Sequence, residues 1–154
     1  MPPFELAPLY EDNHLLVVNK PSGIATMGAE SGPTVHSMAA AYLKSKYNKP
    51  GNVYVGVVSR LDMMTSGVLV LARTSKAASR LALQFGGIQQ TRKQGEVHRA
   101  TKIYLAAVEG SLRDDCGKWR DYVLKDDQAK RMRVVDASVS GAQFAELEYL
   151  KLAS

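Results

Sequence analysis

Two short, almost wholly apolar runs constrain this chain most: Leu15-Leu16-Val17-Val18-Asn19 and Val68-Leu69-Val70-Leu71-Ala72. Each is only five residues long, and turn formers lie beside the first. Such runs predict buried strands rather than helices, because a strand buried on both faces needs no alternation and a helix needs twice the length. Asp12-Asn13 precedes the first run and Lys20-Pro21-Ser22-Gly23 follows it. Proline lacks the amide that a sheet ladder needs, so this strand should stop near Lys20.

Helical spacing appears between and after the two runs. Val35, Met38, Ala39, Tyr42 and Leu43 recur at intervals of three and four, predicting a helix from about Val35 to Tyr47. Thr34 is its candidate N-cap, and Asn48-Lys49-Pro50-Gly51 ends it. A second helix is expected to about Phe85, with Ser75 as its N-cap and Gly86-Gly87 as its stop. Further strands are expected over Val53 to Val58, Ile103 to Val108 and Gln143 to Leu152, the last from strict alternation. Gly117 to Val134 suggests a hairpin with a long loop. Strands of several kinds with two helices imply one α+β domain, a mixed and mainly antiparallel sheet flanked by helices.

Charge points to a polyanionic partner. The net charge is +5, and the stretch from Arg73 to Lys102 carries seven basic side chains against Glu96 alone. One segment therefore supplies the whole excess, as expected of a face that contacts phosphates. Within it, residues 88–99 are polar, basic and without periodicity, which predicts an exposed loop. The single cysteine, Cys116, excludes an internal disulfide and fits a reducing cytosol. Met1 to Glu5 has neither the basic nor the apolar region of a signal peptide, and no apolar run is long enough to span a bilayer. A cytoplasmic, monomeric protein is the default expectation. His14, His36 and His98 have no metal-ligand spacing, so no metal site is expected.

The chemistry lies in Ser59-Arg60-Leu61-Asp62-Met63-Met64-Thr65-Ser66-Gly67, a loop between two apolar strands. It puts a guanidinium and a carboxylate two residues apart on rigid flanks, where functional loops are found. An isolated Arg-x-Asp is most often a surface ion pair. The whole string reads otherwise: Arg60-Leu61-Asp62-x-x-Thr65-Ser66-Gly67, followed by an apolar strand ending in Ala72-Arg73, resembles the signature of the RluA family of RNA pseudouridine synthases. Tyr10 to Gly23 resembles that family's first strand and Lys-Pro-x-Gly turn, and Lys102 to Gly110 its Lys-x-Tyr-x-Ala-x-Val-x-Gly strand.

The resemblance implies a pseudouridine-synthase-like catalytic domain acting on ribosomal or transfer RNA without a cofactor. It implies that Asp62 is the catalytic carboxylate, either attacking the sugar or removing a proton from it. It implies that Arg60 contacts the flipped-out nucleotide and pairs with Asp62, and that Tyr104 stacks on the uracil. Three departures matter. Ser59 stands where the family often has histidine. The stretch 86–99 is longer than the usual link into the tyrosine strand. The chain ends at Ser154 without the family's later basic segment, so the domain is expected to be incomplete at its C-terminus. The competing reading is an RNA-binding module without catalysis.

Overall fold

The computed structural model describes residues 6–86, 99–129 and 131–153. The chain divides into two compact units, Met1–Ile103 and Tyr104–Ser154.

The first unit is built on a four-stranded antiparallel sheet. Its strands are β1 (Pro8–Glu11), β2 (Leu15–Lys20), β3 (Gly56–Val57) and β4 (Gly67–Ala72), in spatial order β1-β2-β4-β3. The β1–β2 turn forms because Asp12 Oδ1 accepts the amides of His14 and Leu15 at 2.7 and 2.6 Å, satisfying two donors the turn would strand. All six residues of β2 pair with β4, from Leu15 opposite Ala72 to Lys20 opposite Gly67. Alternation along β2 buries Leu16, Val18 and Lys20 on one face.

Two helices complete the unit. The helix α1 (Val35–Lys46) begins at Thr34, whose side chain accepts the Ser37 amide, while Ser37 returns a bond to the Thr34 amide. Its Val35, Ala39 and Leu43 join Leu6, Leu16, Val18, Val55, Leu69 and Leu71 in the core. The helix α2 (Ser75–Phe85) is capped by Thr74, one residue earlier than the sequence suggested. The reason is geometric: a cap side chain reaches the amide three residues on, and here Thr74 accepts from Ala77.

The second unit is a three-stranded antiparallel sheet of β5 (Cys116–Asp126), β6 (Arg131–Val135) and β7 (Gln143–Leu150), in order β6-β5-β7. The expected hairpin is present, but its connection is short rather than long. On one face Lys118 and Arg120 pair with Glu146 at 3.0 and 2.6 Å. On the other, Trp119 packs on Tyr149 with ring centroids 4.8 Å apart.

Two expected strands change. Val53 to Val58 shortens to the two residues of β3, because only Gly56 and Val57 find partners on β4. Ile103 to Val108 forms no strand: among the described residues nothing pairs with it, and Ile103, Leu105 and Val108 are exposed. Apolar character favours burial, but a ladder also needs a neighbour with free backbone groups. Of the expected loop over 88–99, residues 88–98 lie outside the described residues, Arg92 and Lys93 among them. Arg73, expected on the basic face, instead turns inward and binds Glu11 at 3.0 Å.

Candidate active site

The loop that carries Asp62 leaves β3 and returns as β4. Since Gly67 opens β4 opposite Lys20, the loop comes back beside the turn that follows β2. Strand pairing thus brings residues 20–26 against residues 61–64, which are some forty positions away in sequence.

Four groups of the turn hold that loop. Thr26 Oγ1 donates to the Leu61 carbonyl at 2.7 Å and accepts the Leu61 amide at 3.2 Å. Lys20 Nζ donates to the Met63 carbonyl at 3.0 Å, and to Pro21 and Ile24 carbonyls at 2.9 and 2.7 Å. The Gly23 amide also donates to Met63 O, at 2.8 Å, and Ser22 Oγ to Met64 O, at 2.8 Å. Gly23 has φ +88°, a conformation that suits glycine because no Cβ crowds it. Within the loop, the Thr65 amide donates to the Asp62 carbonyl at 3.0 Å.

Lys20 and Thr26 are the buried polar residues of the unit's described part, at 0% and 3% exposure. Neither has a buried polar atom left unpaired. Burial pushes the Lys20 ammonium below its usual value, and the negative charge of Asp62 works against that shift. The three donors of the ammonium meet three carbonyls, which is what allows a cation to lie under the sheet face.

Asp62 and Arg60 are exposed and line one shallow cavity of about 160 Å³, bounded by residues 25–27 on one side and 60–63 on the other. The implied pairing of Arg60 with Asp62 is not formed: among the described residues no ion pair joins them, and water reaches both charges. Among the described residues the Asp62 carboxylate accepts no hydrogen bond. Tyr104 belongs to the second unit, on the segment before β5, and is 59% exposed. Within the first unit, therefore, Arg60 and Asp62 share one cavity. Chemically, an exposed carboxylate on an anchored loop can serve as nucleophile, base or stabiliser of a developing cation. No group of three His, Cys, Asp or Glu among the described residues could hold a metal.

Lys20 and Thr26 were not singled out as site residues from sequence. For Lys20 a signal exists: it continues the inward parity of Leu16 and Val18, where a lysine must find partners. For Thr26 no local pattern distinguishes it from any loop threonine.

The family model for RNA pseudouridylate synthase matches residues 14–154. Ribosomal large subunit pseudouridine synthase C of Buchnera aphidicola is 35% identical over 127 residues, covering 82% of this chain and 36% of that protein. Dual-specificity RNA pseudouridine synthase RluA of Haemophilus influenzae is 36% identical over 119 residues, covering 76% of this chain and 47% of that one. The chain thus spans less than half the length of these relatives. A solved structure, Human RNA Pseudouridylate Synthase Domain Containing 4, superposes with a TM-score of 0.61 at 20% identity, covering 96% of this chain and 54% of that one. That likeness is one of fold.

Proposed function

This chain belongs to the RNA pseudouridylate synthase family, and from that premise we propose that it isomerises uridine to pseudouridine in folded RNA, with Asp62 as the catalytic carboxylate. The observation that carries the reading is the placement of Asp62: an exposed carboxylate at a cavity, on a loop whose backbone is held by buried side chains. The reaction breaks the bond between the sugar and uracil N1, turns the base, and joins the sugar to C5. The hydrogen on C5 leaves as a proton. Atoms balance without an external reagent, so the reading needs no cofactor.

Arg60 borders the same cavity and is the group we assign to the flipped nucleotide, where a guanidinium can bind phosphate through paired donors. Tyr104 is assigned to stacking on the uracil. The relatives are named for ribosomal large subunit RNA and for dual specificity, so ribosomal RNA is the proposed substrate class, with transfer RNA as the alternative. No described helix is long and apolar enough to cross a membrane, and the free thiol of Cys116 fits the reducing cytoplasm, the compartment we propose.

A second reading, RNA binding without turnover, is supported by the exposed, unpaired segment that carries Tyr104. One assay separates the two. Transcripts tritiated at uracil C5 are incubated with the chain and with Asp62→Asn, and tritium released to water is counted. Release by the wild type alone is the expected result. Salt-sensitive binding by both proteins with release by neither would overturn the enzyme reading in favour of the second.

A further inference from the structure

Three of the chain's six methionines lie on the two segments that bound the Asp62 cavity. Met38 packs against the core, as an apolar side chain of its size is expected to. Met27, Met63 and Met64 do not: they are 46%, 53% and 70% exposed. Met27 and Met63 stand on the two walls of the cavity that holds Arg60 and Asp62, and Met64 is the next residue of the loop. We propose that these three side chains form an apolar rim that packs against the nucleobases on either side of the target uridine. The inference rests on the reading above for its RNA, and it names which part of that RNA the rim takes.

The exposure is not that of a loose loop. The Gly23 amide donates to the Met63 carbonyl and Ser22 Oγ to the Met64 carbonyl, at 2.8 Å each. Both backbones are therefore fixed while both side chains stay in water. Apolar surface held in water is unfavourable in proportion to its area, and a cluster of it at the edge of a cavity marks a place where a ligand binds.

The chemistry of the thioether selects the occupant. A methionine side chain has three rotatable bonds and a polarisable sulfur, which makes favourable contacts with aromatic rings at about 5 Å. Nucleobases are flat rings, and extrusion of one from a stack leaves a bare face on each neighbour. The target uracil must enter the cavity toward Asp62, whereas its neighbours stay outside, where the rim is. Arg60, at the same cavity, carries the positive charge that suits the phosphates beside an extruded nucleotide. An apolar protein segment laid on the rim would leave that charge without a counterpart. A thioether has no N–H or O–H donor and only a weak acceptor, so its contact with a base does not read which base it is. The rim thus favours unstacked RNA while leaving the sequence around the target free.

Fluorescence anisotropy tests this with two labelled oligomers of equal length and charge, an oligouridylate and its counterpart with abasic sites in place of the uracils. The wild type should bind the oligouridylate about tenfold more tightly than the abasic oligomer. A triple variant, Met27→Gln with Met63→Gln and Met64→Gln, keeps the side-chain length and makes the rim polar. It should lose about 5- to 10-fold on the oligouridylate and less than about twofold on the abasic oligomer. The slope of log affinity against log salt should not change, because no phosphate contact is lost. The corresponding triple Met→Leu variant, apolar and of similar volume, should stay within about threefold of the wild type on both oligomers. Equal affinity of the wild type for the two oligomers would overturn the proposal, as would a loss in the Gln variant that is equal on both or absent from both. Failure of the wild type to release tritium counts against the isomerase reading alone, and the pair of oligomers still decides the rim.

Discussion

Glu11 is the most heavily partnered carboxylate of the chain's described part. Its oxygens accept from Tyr42 and Lys46 at 2.8 Å each, from Tyr47 at 2.6 Å and from Arg73 at 3.0 Å. Arg73 also donates to the Asp12 carbonyl and lies over the Tyr47 ring, 4.6 Å from its centroid. Burial alone would push the Glu11 carboxyl upward, but the hydrogen bonds from Lys46, Tyr47 and Tyr42 outweigh it and hold the group at about 2. A carboxyl depressed in the folded state stabilises it above the unfolded value and loses that contribution as pH falls toward the folded one. The window therefore runs from about pH 5 down to about pH 2. Glu11→Gln should unfold more easily than the wild type at pH 7, by about 1–2 kcal/mol after allowance for partial solvent screening, and the gap should narrow at pH 3. Urea denaturation of both proteins at the two pH values checks it. The sequence placed Arg73 on the surface because charge alone cannot show which arginine has a carboxylate waiting 62 positions away.

At the scale of elements, close approach between α2 and the sheet depends on one glycine. A Cβ on Gly56 would lie 2.9 Å from the Ala78 Cβ and 3.2 Å from the Ala72 Cβ, and neither neighbour has a flexible end to swing away. Gly56→Ala should therefore cost about 1–3 kcal/mol in urea denaturation, because α2 must lift from β3 and β4. Thr34→Ala should cost about 1 kcal/mol by the same measurement, since it removes the capping bond at the start of α1. The elements built on local signals were legible in the residue pattern itself. The spacing of Val35, Ala39 and Leu43 placed α1 on the core, and the runs at 15–19 and 68–72 became the central pair β2 and β4. Elements whose extent depends on a partner were not. Val55 is buried, as its apolarity implied, yet it stands outside β3 because no ladder reaches it.

Taken as a whole molecule, the chain distributes its stability unevenly. Every buried apolar side chain of the described residues belongs to the first unit, whereas the second buries none and leaves Trp119, Leu147, Met132 and Val134 exposed. Amides of β5, β6 and β7 should accordingly exchange faster than those of the β2–β4 ladder, which hydrogen-exchange mass spectrometry resolves by segment. Charge is also distributed by fold. Lys76 and Arg80, one turn apart on α2, border a groove with His14 and form no ion pair among the described residues. Replacing both by alanine should weaken RNA binding and lower the slope of log affinity against log salt by roughly 1 to 2, as for two lost phosphate contacts. The sequence by itself determined the strands and helices whose periodicity is local, the turn after β2, the Thr34 cap of α1 and the Arg60–Asp62 loop motif. Those features depend on residues a few positions apart, whose geometry the backbone dictates. Only the tertiary structure decided that Lys20 and Thr26 grip the loop, that Glu11 and Arg73 meet, and that Ile103 to Val108 forms no strand. Each of these turns on a partner, present or missing, contributed by a remote stretch of chain, and such partners exist only once strand pairing has brought distant segments together.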